Sequence, residues 1–373
     1  MFTDFPLYGI AIVAAVTALF LIFLYRVTIT NKNRQHTKNA KKAPEKVAIS
    51  NDQKTALQLP DSSEPIQALF RQLETEAYQL ALGSNAIADP IPPEHTVITS
   101  GISKNYFDLV HSKQYLPGKP LIIPQLLRAV KNDDTTKAEL VEIVIQDPIL
   151  TADLLKTANS PFYRLSKKAV ENVHDAVVIL GNDGLRSVVF SSVMRPVFHI
   201  PKELFPRFSE TVWAIALDTS IAAQVFAKKS GVCDAFSAQL LALMSSVGQI
   251  LIFRATVDTY NTTKALTPSP MVFAELLNRF SLKASRAIIS EWDLDGQFRV
   301  ALKEIENQEK LQDMMPLAQA LFFGKLCGML SVLVKQARIT EEQALEHLNA
   351  AGLTTPTVDA MWQAVQKTGA DTL

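Results

Sequence analysis

From Pro65 onward, apolar residues recur at three- and four-residue intervals along most of the chain, the spacing of a helix with one buried face. In PIQALFRQLETEAYQLALG, Ile66, Leu69, Phe70, Leu73, Ala77 and Leu80 share a face, and Gly83 marks the stop. ADPIPPEHTVITSG is broken by prolines and reads as a connection with at most a short extended piece. In QDPILTADLLKTANSPFY, Asp147 before Pro148 has the form of an N-cap followed by a first-turn proline. Ile149, Leu150, Ala152, Leu154 and Leu155 give that helix a wide apolar face, and Asn159-Ser160-Pro161 ends it. ENVHDAVVILGNDGLRSVVFSSVM predicts a helix ending at Gly181, a tight GNDG turn and a second helix. Thr340 with Gln343 forms a capping box closed by Gly352, and Thr355-Pro356 opens a last short helix. Strand-like alternation is scarce. The pattern predicts an all-α protein.

One stretch departs from the one-faced pattern. LLALMSSVGQILIF, residues 240–253, is apolar on every side, as a core helix is, yet carries Ser245 and Ser246 at its centre. Neighbouring helical positions point about 100° apart, so the two serines cannot both face solvent if the flanks are buried. Small side chains permit close helix packing, with each hydroxyl bonding a carbonyl one turn back.

The amino terminus differs in kind. Phe5 to Tyr25 carries no charge, and roughly 20 helical residues cross a hydrocarbon core of about 30 Å. Arg26, Lys32, Arg34, Lys38, Lys41 and Lys42 follow with no acidic residue among them. This predicts an uncleaved single-pass anchor with its amino terminus outside and the body of the chain in the cytoplasm. The expected organisation is an anchor at 5–25, a basic and polar flexible linker at 26–63, a helical extension at 64–115, a main helical domain at 116–310, and packed carboxyl-terminal helices at 311–373.

Composition excludes more than it identifies. Lysine plus arginine balances aspartate plus glutamate at 37 each, so no global field recruits nucleic acid. Two cysteines, Cys233 and Cys327, make neither a disulfide framework nor a metal-ligand spacing and suit a reducing compartment. The sequence has no GxxxxGK loop and no GxSxG elbow. Its six histidines, His36, His95, His111, His174, His199 and His347, are scattered. His174-Asp175 is the one dipeptide of metal-dyad type, but it stands at a predicted helix start, where an aspartate complements the helix dipole.

The succession KPLIIPQLL, ELVEIVIQDPILTADLLKTANSPFY, VHDAVVILGNDGLRSVV and a helix bearing Trp213 resembles the HDOD family, non-hydrolytic relatives of the HD-type metal phosphohydrolases. The likeness runs from Pro117 to Glu306 and is carried by Asp147, Pro148, Asn159, Ser160, Gly181 and Trp213, expected to support the fold or a partner surface. In relatives with intact chemistry the central helix reads LLHDIG, so the resemblance sets Ser245 and Ser246 where His and Asp would stand. The other ligand positions fall on Ile215, on Ser281 and near Ile305 and Glu306. Hydroxyls and an isoleucine do not hold a divalent cation or acidify its water. The resemblance thus implies an HD-like helical bundle with no catalytic metal, no cofactor and no enzymatic turnover. It implies a bacterial signalling module working through protein partners; the predicted anchor sets it at the inner membrane, and the neutral charge argues against nucleic acid. The alternative is a divergent phosphohydrolase or nucleotide-binding protein using the remnant cleft. The oligomeric state is left open.

Overall fold

The computed structural model describes residues 64–116, 141–142, 144–145, 147–160, 163, 169–200, 204–263 and 266–368. The predicted anchor, the linker and the KPLIIPQLL segment lie outside the described residues. Within them the chain is helical, with no strand. The helices are α1 Glu64–Leu82, α2 Thr96–Lys104, α3 Tyr106–His111, α4 Pro148–Ala158, α5 Val173–Met194 and α6 Phe208–Ser230. There follow α7 Ala235–Thr263, α8 Pro270–Glu291, α9 Gly296–Glu306, α10 Pro316–Lys335, α11 Glu341–Ala350 and α12 Thr355–Thr368.

Helix α7 is the axis of the bundle. From Phe236 to Phe253 almost every residue is buried, so its all-round apolarity is core rather than one face. Helix α8 packs along one side of it and α6 along another, while α10 lies across α6. By length and composition α7, α10 and α5 with its following turn could each cross a membrane. Yet 83% and 94% of the apolar windows of α7 and α10 are already inside the fold, where they serve as core.

The serine pair has a packing explanation. Ser245 Oγ donates to the Ala242 carbonyl at 2.7 Å, and both serines are buried. The contact that needs small residues is one turn on, at Gly248. There Ser285 Oγ of α8 accepts the Gly248 N–H at 3.0 Å and donates to the Ser245 carbonyl at 2.9 Å. The same device recurs on α10, where Gly324 and Gly328 press against Thr219 and Ala223 of α6.

The ADPIPPEHTVITSG segment corrects the sequence reading. It is a connection only as far as Pro92: it leaves the 3-10 turn Ala86–Ala88, forms a second one at Pro93–His95 and continues as α2. Ile98 and Ile102, one helical turn apart, are buried as α2 packs on α7 and α8. Their burial outweighs the few tenths of a kcal/mol by which β-branched residues disfavour a helix. His95 is buried beside them, its ring 2.8 Å from the Tyr260 hydroxyl.

Candidate functional site

Two concave sites separate the residues singled out in the sequence. The first is a cleft of about 110 Å³ where α7, α8, the end of α9 and α10 meet α1. Ser245, Ser281, Ile305 and Glu306, far apart in sequence, all line it. Ser246 is buried beside it and Ile215 is half-buried on α6; neither belongs to the lining. The sequence reading missed α1, whose Gln67, Phe70, Glu74 and Tyr78 form one wall. Their three- and four-residue spacing was legible, but the direction in which that face points was not.

Most of the cleft's charges are already engaged. Lys325 Nζ lies 2.8 Å from Glu74 Oε1 and stands 5.0 Å from the Phe70 ring centroid. Glu306 pairs with Arg286 at 2.7 Å and with Lys283 at 3.6 Å. Burial, reinforced by the Glu74 charge, pushes the Tyr78 phenol far above its ordinary range, so it stays a neutral O–H. That hydroxyl faces Ser281, whose own buried Oγ has no hydrogen bond of standard geometry. A metal of the HD type does not fit this donor set. At the lining positions where the resemblance would set metal ligands stand two serine hydroxyls and an isoleucine, and both glutamates are held by cations. Among the described residues no three His, Cys, Asp or Glu converge on a point. His174-Asp175 stands at the start of α5, where Asn172 Oδ1 accepts the Asp175 N–H and caps the helix.

The second site is a larger groove, of about 350 Å³, bounded by α4, α5, α6 and α12. The motif residues gather around it. Ser160 and Trp213 line it directly, and Gly181, left-handed at φ 64°, breaks α5 between the lining residues Leu180 and Asp183. Trp213 is half-buried, packed on Phe198 at 5.2 Å between ring centroids and open to the groove. Asn159 does more than end α4. Its Nδ2 donates to the Leu155 and Val170 carbonyls, and its Oδ1 accepts the Val170 N–H at 2.8 Å. This clamp ties the end of α4 to the approach of α5.

Asp147 Oδ1 accepts the N–H groups of Ile149 and Leu150 at 2.8 and 3.2 Å, and Pro148 occupies the first turn of α4. An Asp147→Ala variant should lose about 0.5–2 kcal/mol of unfolding free energy in a urea titration, the usual worth of an N-cap. Unchanged stability together with a lost interaction would make Asp147 a contact residue instead.

An all-helical HD-like bundle is the class this geometry defines. The family model for the HDOD domain matches residues 116–308, just over half of the chain, and the chain belongs to the HDOD family. Among solved structures, a protein of Shewanella amazonensis SB2B whose name proposes metal-dependent phosphohydrolase activity is 19% identical. The match covers 74% of this chain and 98% of that one, with a TM-score of 0.54. An HDOD domain protein of unknown function from Geobacter sulfurreducens is 20% identical over 75% of this chain and 91% of its own, with a TM-score of 0.49. An uncharacterized protein of Treponema pallidum is 26% identical over 120 residues, 32% of this chain. That match takes in only 23% of the Treponema protein's length. At these identities the solved structures speak for the fold alone.

Proposed function

We propose that this protein is a non-enzymatic regulatory module of the HDOD type, tethered to the bacterial inner membrane by residues 5–25 and acting on protein partners from the cytoplasmic side. One observation carries the reading. Of the positions at which the resemblance would place HD-type metal ligands, Ser245, Ser281 and Ile305 line the α1-walled cleft together with Glu306, while Ser246 and Ile215 stand outside its lining. A hydrolase of this class needs several converging nitrogen and carboxylate donors to bind a cation and generate hydroxide at neutral pH. Glu306, the acidic member, is neutralised by Arg286 and Lys283. What such a cleft can still do is hold a conformation. Lys325 and Glu74 join α10 to α1, and α1 is the helix that follows the linker.

The chemical half is tested on the full chain in detergent or nanodiscs. Metal analysis after dialysis should find manganese, iron and zinc well below one per chain, and a panel of cyclic nucleotides and aryl phosphates should remain uncleaved. Stoichiometric metal accompanied by turnover would establish the alternative, a divergent phosphohydrolase. The topological half rests on the uncharged run at 5–25 and the six basic residues behind it. A carboxyl-terminal alkaline phosphatase fusion is expected to be inactive. An active fusion would place the body outside the cytoplasm and overturn this half of the reading. Anchoring also raises the effective concentration of the helical body toward other membrane-bound partners without any new contact.

A further inference from the structure

We infer that the groove bounded by α4, α5, α6 and α12 is a binding site for a small planar aromatic anion, with its ring against Trp213 and its phosphate or carboxylate toward Arg195. The site is distinct from the remnant cleft, and the inference stands whether or not that cleft is catalytic.

The groove exists because α5 packs on α4 and α7 rather than closing on α6. Its two long walls differ in chemistry. Along α6, Trp213, Leu217, Ile221 and Val225 recur every four residues and present one apolar stripe. Along α5, Ser187, Ser191 and Ser192 present hydroxyls, and Arg195, the residue after the helix, adds a guanidinium. An interior of about 350 Å³ suits a small molecule, since ligand pockets begin near roughly 300 Å³.

The polar wall has donors to spare. Ser187 Oγ accepts from Gln239 Nε2 at 2.6 Å, and the fully buried Gln239 accepts in turn from Gln224 at 3.0 Å. Ser187 is therefore held by the core while its own O–H remains to be given. The Ser191 and Ser192 hydroxyls make no hydrogen bond to the described residues, and Arg195 is exposed with no ion-pair partner among them. Four basic side chains and two carboxylates line the whole groove. One carboxylate, Asp183, is spent on Lys228 at 3.0 Å, at the end of the α6 stripe away from Trp213. The other, Asp153, opposes an anion, but the balance stays positive. Arg195 closes α5, where the helix dipole leaves about half a negative charge. The full charge of a guanidinium outweighs it, and its fork matches the oxygens of a phosphate or carboxylate. Half-buried Trp213 supplies a flat apolar surface on which a ring can lie with offset stacking.

The probe is 1-naphthyl phosphate, with 1-naphthol as its uncharged counterpart. Both are titrated calorimetrically into the full chain in nanodiscs, with empty nanodiscs subtracted. The phosphate should bind saturably and at least about tenfold tighter than the naphthol, the difference a charge-assisted Arg contact supplies. Arg195→Gln should bring the phosphate down to the naphthol's affinity, Trp213→Leu should weaken both, and Ile221→Trp should fill the groove and abolish binding. Circular dichroism confirms that each variant is folded. Ser281→Ala, in the other cleft, should change nothing. The inference is overturned by an absence of saturable binding, by equal affinity for the two probes, or by indifference to Arg195→Gln. Release of naphthol from the phosphate would instead sink the non-enzymatic reading while leaving the site in place.

Discussion

Gly248→Ala is expected to cost the domain about 3 kcal/mol or more, or to prevent it from folding, because overpacking a close contact is not relieved by moving a side chain. A Cβ at this position would fall on the Ser281 carbonyl oxygen and 2.6 Å from the Ser285 nitrogen, both backbone atoms of α8. Glycine to alanine in a helix interior would by itself return about 1 kcal/mol. The clash wins, because α7 is held on several sides and cannot retreat from α8 without opening the core. Gly101 in α2 is the matched control, since its added Cβ would meet only Thr259 Cγ2 at 4.0 Å. Gly101→Ala should therefore stabilise by up to about 1 kcal/mol. Urea midpoints moving in opposite directions for the two variants are the expected result; equal shifts would mean that the α7–α8 crossing is not close-packed at Gly248.

Lys335→Met should cost about 3–5 kcal/mol at neutral pH, the loss typical of removing one partner of a buried pair. Lys335 Nζ lies 2.8 Å from Asp218 Oδ2, and Ser331 donates to the same oxygen at 2.8 Å. Lys335 also donates to the Val365 carbonyl, so one ammonium joins α10, α6 and α12. Burial pushes the Asp218 carboxyl above its usual range, and Lys335 and Ser331 pull it only part of the way back. The folded state therefore holds the Asp218 proton more tightly than the unfolded chain does. The stability Asp218 contributes is full below its unfolded pKa and falls as pH rises through the raised folded value. In Asp218→Asn this dependence disappears, so the variant should gain on wild type as pH rises from acid to neutral. The double variant Asp218→Leu, Lys335→Met should regain most of what Lys335→Met loses, because an apolar pair leaves no charge unmatched. A double variant as unstable as the single one would show that the pair holds the helices through geometry that apolar side chains cannot replace.

Local signals were legible wherever the interacting groups lie within a few residues. Asp147 caps α4, the Thr340–Gln343 box opens α11, and Gly83, Gly181 and Gly352 take left-handed conformations at the breaks. Helical periodicity marked the buried face of α1 in the same way. TVITSG was misread because the forces that make it helical, the burial of Ile98 and Ile102 against α7 and α8, come from residues more than a hundred positions away. The G-x-x-x-G spacing at Gly324 and Gly328 was visible in the sequence, but only the approach of Thr219 and Ala223 gives it meaning.

The sites divide along the same line. That Ser245, Ser246, Ile215 and Ser281 lack the imidazole and carboxylate groups of an HD-type donor set follows from side-chain chemistry, once the resemblance says which positions to inspect. That Ser245 and Ser281 share a cleft walled by α1, while Ser160 and Trp213 share a different and larger groove, was decided by tertiary packing. Sequence by itself determined the helical class, the caps and breaks and the uncharged run at 5–25, because each is a property of neighbouring residues or of a side chain's own atoms. Only the fold could set helix faces against one another, since which stripe meets which depends on crossings such as the one at Gly248, where atoms 37 residues apart in sequence come within 3.0 Å.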